Sequence, residues 1–136
     1  MMSSMEVLVA TAEREVYSGQ ATMLIVPGAA GDLGILPNHS PLLAALKAGE
    51  LRITNGDEID EVFVSGGFVE IQPDKVTILA DTAERAADMD EAEIVAAQRR
   101  AEDLVSSNKG DVDLAMAEAE LSMLTARLNL LRKRRK

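Results

Sequence analysis

His39 is the only imidazole in a chain of 136 residues, and the chain has no cysteine. A metal cluster built from His and Cys is excluded, as is thiol chemistry. Two carboxylate pairs, Glu13/Glu15 and Asp57/Glu58, have the composition of a general acid and base. Both lie among turn-forming residues, where charges are ordinarily solvated. The run Gly28-Ala29-Ala30-Gly31-Asp32-Leu33-Gly34 is glycine-rich, but no Gly-Lys-Ser/Thr follows to cradle a phosphate. The overlapping stretch Gly31-Asp32-Leu33-Gly34-Ile35-Leu36-Pro37-Asn38-His39-Ser40-Pro41-Leu42-Leu43 is punctuated by two glycines and two prolines and reads as a bent, partly buried loop. His39 has no second base beside it and is expected to be a structural or interface residue. No catalytic constellation emerges, and no cofactor or metal is expected. The chain is expected not to be an enzyme in isolation.

The elements that carry these residues fall into two styles. Up to about residue 87 the chain reads as short strands. Residues 5–10 and 21–26 are apolar runs of strand length, the second ended by Pro27-Gly28. Leu51-Arg52-Ile53-Thr54 alternates, and Asn55-Gly56 is a strong hairpin signal before Glu61-Val62-Phe63-Val64 returns. Residues 68–71 and 76–80 form another pair across Gln72-Pro73-Asp74-Lys75. Many short strands with closely spaced turns predict an antiparallel β-sandwich or barrel over residues 1–87. From residue 88 to 136 alanine, glutamate and arginine take over. A helix is predicted over residues 90–105, with Asp90 and Glu93 at capping-box spacing. A turn at Ser106-Ser107-Asn108-Lys109-Gly110 then leads to a second helix, starting near Asp111 or Asp113, and hence to an antiparallel helical hairpin.

The second helix carries two apolar seams. Leu114, Ala117, Leu121, Leu124, Leu128 and Leu131 step by three and four residues, and so do Met116, Ala119, Met123, Ala126 and Leu130. At about 100° per residue the seams lie roughly 160° apart. Either the first helix covers one seam and the β domain the other, or the two seams serve alternative packings. Methionine suits a face that changes partners, because its unbranched thioether adapts to different surfaces.

Composition narrows the partners. The net charge of −9 argues against nucleic acid, and the only aromatics are Tyr17, Phe63 and Phe68, which gives bases few stacking platforms. Of 14 basic side chains, five close the chain as Arg132-Lys133-Arg134-Arg135-Lys136, leaving 9 basic against 23 acidic elsewhere. Such a tail suits an anionic partner, or it is a solvated helix end whose cations favour the C-terminal dipole. The N-terminal residues Met1-Met2-Ser3-Ser4-Met5-Glu6 lack the pattern of a signal peptide. No apolar run approaches the roughly 20 residues of a spanning helix. A soluble protein is expected, with any membrane association indirect.

The stretch around His39 resembles the ε subunit of F-type ATP synthases. Tyr17-Ser18-Gly19, Val64-Ser65-Gly66-Gly67-Phe68, Leu79-Ala80-Asp81-Thr82-Ala83 and Gly110-Asp111-Val112-Asp113 follow in the order of that family and cover nearly the whole chain. The resemblance implies a rotor subunit of the central stalk that couples proton translocation to ATP synthesis. Its β-sandwich would bind the γ subunit and sit on the c-ring, with Ala30, Gly31 and Asp32 facing the ring. Pro37, His39 and Pro41 would be structural, on the stalk side. Its helices would suppress ATP hydrolysis when extended into the α/β catalytic head, where Arg127, Arg132, Lys133, Arg134 and Arg135 would meet an acidic loop of the β subunit. The two-seamed helix, with Leu114, Leu121, Leu124, Leu128 and Leu131 on one side and Met116, Met123 and Leu130 on the other, would exchange docking surfaces. The implied location is peripheral, on the cytoplasmic face of the bacterial plasma membrane. The competing class is a free-standing, non-catalytic β-sandwich adaptor with a partner-binding hairpin.

Some members of that family bind ATP through an Ile/Leu-Asp-x-x-Arg-Ala motif and further arginines. The matching run here is Met89-Asp90-Glu91-Ala92-Glu93-Ile94. Asp90, Arg100 and Arg127 remain, whereas Glu93 replaces the motif arginine and Met123 stands where another cation is expected. A carboxylate in place of a phosphate-facing cation reverses the sign of the interaction. Isothermal titration of ATP into the protein should therefore detect no micromolar binding.

Overall fold

The computed structural model describes residues 3–107 and 114–134. The chain divides after Asp88 into two compact units. In the first, alternation sets the architecture: along β1 (Met5–Ala10), Met5, Val7 and Val9 are buried and Glu6 is exposed. The same period recurs in β3 (Met23–Gly28), β6 (Gly49–Asn55), β8 (Gly67–Ile71) and β9 (Lys75–Ala80), so one face of each strand is apolar. The other described strands are β2 (Glu15–Ala21), β4 (Gly31–Ile35), β5 (Leu42–Leu46), β7 (Glu58–Val64) and β10 (Ala83–Arg85).

Hydrogen bonding runs in the order β10-β7-β6-β3-β5-β8-β9-β1-β2, with β4 attached to β3. Strands β5, β8, β9, β1 and β2 make one layer of a β-sandwich, and β10, β7, β6, β3 and β4 the other. Pairing is antiparallel throughout except between β1 and β9, which run parallel from Glu6↔Lys75 to Ala10↔Leu79. Between the layers lies a single aliphatic cluster that includes Val7, Leu24, Val26, Leu51, Ile53, Val62, Val69 and Ile78. Burying each such side chain contributes about 1.5–3 kcal/mol relative to exposure.

The two layers join through β3. Its first residues pair with β6, ending at Ile25↔Arg52, and its last, Gly28, pairs with Leu46 of β5. Pro27 occupies the crossing. The sequence pattern ends this strand at Pro27-Gly28, but the structure carries it through both. A proline has no N–H to place in a ladder; here it sits where the strand changes neighbours, and its carbonyl accepts the Lys47 N–H at 2.9 Å. The stretch from Gly31 to Leu43, expected as a loop, is instead mostly strand. Gly31–Ile35 returns on β3 as a tight hairpin, and Leu42 opens β5, leaving residues 36–41 as the loop. The expected Asn55-Gly56 hairpin is present, with Asn55↔Glu58 closing it and Gly56 at φ 64°. β2 escaped the pattern because its sequence, Glu-Val-Tyr-Ser-Gly-Gln-Ala, has no apolar run.

At the margin of the sandwich β2 comes against β6 and β10. Arg85 of β10 lies 5.9 Å from the centroid of the Tyr17 ring of β2, and its Nη2 donates to Asp60 Oδ1 of β7 at 3.2 Å. Burial, followed by the negative charge of Asp60, pushes the Tyr17 phenol above its ordinary value of 10.0.

The second unit is an α-hairpin: α1 (Glu91–Ser107) and α2 (Leu114–Arg134). Leu104 near the end of α1 shares a groove with Met116 near the start of α2, so the helices run antiparallel. Ile94 and Ala101 close with Leu124 and Leu128 into a buried cluster, and Gln98 Nε2 donates to Thr125 Oγ1 at 3.1 Å. The expected connecting turn lies largely outside the described residues, as do Gly110, Asp111, Val112 and Asp113.

Of the sheet glycines whose surroundings are crowded, Gly67 leaves the least room for a side chain. Its φ is 120°, and a Cβ there would lie 2.1 Å from the Leu79 carbonyl oxygen. Gly67→Ala should destabilise the protein by more than about 1 kcal/mol, read as a lower urea midpoint.

Candidate interaction surfaces

The β3–β4 turn carries Ala30, Gly31 and Asp32. Gly31 adopts φ 135°, and the turn is so tight that a Cβ on Gly28 would stand 2.5 Å from the Gly31 carbonyl oxygen. Ala30 and Asp32 are exposed. Ala29 N–H donates to Ala45 O at 2.8 Å, which anchors the turn to β5. The Asp32 carboxylate is thereby presented on a stiff support at one end of the sandwich.

Pro37, His39 and Pro41 lie in the loop at the other end of β4. The sequence places these residues within a dozen positions of Asp32, yet the structure separates the two groups by the length of a strand. Asn38 holds the loop: at φ 69° it donates its N–H to Pro73 O at 2.7 Å. His39 Nδ1 lies 2.7 Å from Ser40 O. A carbonyl can only accept, so Nδ1 carries the proton of that bond. His39 is thus tied to its own loop.

One surface escaped sequence inspection altogether. Ala45 pairs with Phe68, and Phe68 with Leu79, across three adjacent strands. These residues point away from the core, with Leu43 two positions along β5 on the same face. Leu43 is 68%, Phe68 56% and Leu79 57% exposed. The signal was a run such as Val76-Thr77-Ile78-Leu79-Ala80, where an apolar residue occupies the polar phase of the alternation. A cluster of large apolar side chains gathered on one sheet face is characteristic of a protein contact.

A model of the family described as ATP synthase, Delta/Epsilon chain, beta-sandwich domain matches residues 4–86. The chain belongs to this Delta/Epsilon family. Curated relatives extend the match to nearly full length. The ATP synthase epsilon chain of Halorhodospira halophila is 50% identical over 137 residues, which span 99% of this chain and 97% of the relative. That of Bordetella parapertussis is 47% identical over 135 residues, spanning 98% and 96%. The fold recurs in a chain of the Euglena gracilis mitochondrial ATP synthase OSCP/F1/c-ring assembly in rotational state 1. The TM-score is 0.80 at 18% identity, over 94% of this chain and 81% of that one. A chain of the Tetrahymena thermophila mitochondrial ATP synthase central stalk and c-ring gives 0.60 at 20% identity, over 95% and 97%.

In the helical unit of this Delta/Epsilon chain the two seams differ in exposure. On the first, Ala117, Leu124 and Leu128 are buried and Leu121 and Leu131 half-buried; Leu114 opens the helix. The second seam is graded. Leu130 is buried, Met123 and Ala126 are half-buried, Ala119 is exposed, and Met116 is 71% exposed. A groove of about 600 Å³ follows this open end, lined by Leu104, Met116, Ala117, Ala119, Glu120, Met123, Leu124 and Arg127. Arg132 and Lys133 are exposed; Arg134 is the last residue of α2, and Arg135 lies outside the described residues. No helix among the described residues is long and apolar enough to cross a membrane.

Asp90 is committed to the helix end. Its Oδ1 accepts the N–H groups of Ala92 at 3.0 Å and Glu93 at 3.4 Å, satisfying two donors that the first turn of α1 leaves open. Arg100 is exposed on α1, and Arg127 lines the groove on α2. Asp90→Ala should cost about 1 kcal/mol of helix stability, seen as faster amide exchange in the first turn of α1.

Proposed function

We propose that this chain is a central-stalk rotor subunit of an F-type ATP synthase. It couples proton translocation to ATP synthesis and does no chemistry of its own. The observation that carries this is the exposed apolar face of Leu43, Phe68 and Leu79 on a domain whose core is already complete. A face of that kind is stable in water only at a cost that a tightly held partner removes. The partner proposed is the γ subunit. The loop bearing Pro37, His39 and Pro41 leads directly into Leu42 and Leu43, so it would border the same contact. At the opposite end, the stiff turn of Ala30, Gly31 and Asp32 would rest on the polar loops of the c-ring. Family membership and the near-complete span of the epsilon-chain relatives support this assignment.

The hairpin is proposed as the regulatory part. Residues 1–87 would hold the rotor, while residues 88–136 would extend into the α/β head and suppress ATP hydrolysis. The graded second seam supports this, because its open end is apolar surface ready for a partner helix. Arg127, Arg132, Lys133, Arg134 and Arg135 would meet acidic residues of the catalytic β subunit, and these contacts would weaken with salt. The subunit would lie peripherally at the cytoplasmic face of the bacterial plasma membrane, held there by the complex.

The test is reconstitution of the cognate ATPase with the full chain, a chain ending at Ala87, and the Phe68→Lys/Leu79→Lys full chain. The shortened chain should stay bound while hydrolysis rises several-fold. The double lysine variant should fold with an unchanged circular dichroism spectrum and fail to copurify. Retention of the lysine variant at wild-type stoichiometry would remove the proposed γ face, and unchanged hydrolysis with the shortened chain would remove the inhibitory role.

A further inference from the structure

The described methionines of this chain differ in exposure. Met5 is 1% exposed in the sandwich core, Met23 is 38% exposed at the start of β3, and Met116 is 71% exposed at the open end of the second seam. Oxidant reaches a thioether in proportion to its exposure, so the sulfurs should not react alike. Met116 also occupies an informative position. It lines the groove between α1 and α2 with Leu104, Ala119 and the half-buried Met123. Leu104 is itself 59% exposed, so the wall that Met116 completes is apolar and open to solvent.

We infer that Met116 is a site of reversible oxidation by hydroperoxides and that its sulfoxide switches off the docking of the second seam. The step balances without a metal or cofactor. The thioether sulfur attacks the outer oxygen of the hydroperoxide, an S–O bond forms as the O–O bond breaks, and the departing oxygen takes the proton and leaves as water or an alcohol. Sulfur loses two electrons and the peroxide gains them. The product replaces an adaptable apolar side chain with a polar, chiral one. On a seam that works by apolar contact, a sulfoxide must either stay hydrated or be buried without a partner, and both oppose docking. Leu104, Ala119 and Met123, which line the groove with Met116, carry no hydrogen-bond donor on their side chains, and the donor in that lining, Arg127, stands about three turns further along α2. Sulfoxide reduction by a methionine sulfoxide reductase would restore the original face. The regulatory half of this inference rests on the inhibitory role proposed above for the hairpin; the modification itself does not.

Treating the full chain with dilute hydrogen peroxide and mapping peptides by mass spectrometry tests the site. Met116 should reach half-oxidation on the order of tenfold sooner than Met5, with Met23 between them. Equal rates at Met116 and Met5 would overturn the assignment. Reconstituting the oxidised chain into the cognate ATPase tests the switch: hydrolysis should rise toward the level given by the chain ending at Ala87. Met116→Leu keeps the apolar volume without the sulfur, so peroxide treatment of that variant should no longer change the rate. Met116→Gln should raise hydrolysis without peroxide. If the shortened chain relieves inhibition but the fully oxidised chain inhibits as before, the switch is wrong and the inhibitory hairpin stands. If the shortened chain has no effect, the inhibitory role and the switch fall together, while the peptide map still decides whether Met116 is the oxidation site.

Discussion

The sandwich depends on one strand belonging to both of its layers. β3 pairs with β6 through Ile25 and with β5 through Gly28, and Pro27 stands at the crossing. Proline is tolerated there because no ladder N–H is required as the strand changes neighbours, and glycine follows because the returning hairpin brings the Gly31 carbonyl against it. With the corner fixed, the registers of β4 and β5 follow. A shift of one residue along β5 would exchange its inner and outer faces, burying Leu43 and Ala45 and exposing Ala44 and Leu46. The corner therefore sets which side chains fill the core and which form the exposed apolar face.

The same constraint separates two proposed contacts. β4 is the spacer between the Asp32 turn and the His39 loop, paired with β3 along its length. A firmly paired element between the two proposed contact points would fix their separation, because slack in the spacer would loosen both. The strand pairing, the Ala29–Ala45 bond and the Asn38–Pro73 bond all hold that spacer in place.

The helical unit follows a different logic. Its buried cluster is small, drawn from Ile94, Ala101, Leu124 and Leu128, and much of α2 remains open. The first seam is committed to α1, whereas the second runs from buried Leu130 to exposed Met116. An adaptable side chain at the open end suits surfaces of differing shape, and the same thioether makes that end chemically vulnerable. Asp90 shows the opposite commitment: its carboxylate holds the helix N-terminus, an intramolecular role for a residue that resemblance alone would connect with nucleotide.

Much was legible in the residues themselves. The apolar run of β1, the alternation in β6, the strand pair of β8 and β9 and the Asn55-Gly56 turn revealed the sandwich, and the three-four stepping of leucines revealed the two-seamed helix, because these signals lie within one element or between neighbours joined by a short turn. Motifs in family order revealed the lineage. The tertiary structure alone decided the rest. The passage of β3 through Pro27 and Gly28, the parallel pairing of β1 with β9 and the conversion of the His39 stretch into two strands and a short loop all depend on which distant strand lies alongside. Leu43, Phe68 and Leu79 are far apart in sequence and unremarkable one by one; strand register brings them onto one face. Periodicity specifies which sides of an element are apolar, but only packing determines which of those sides is covered.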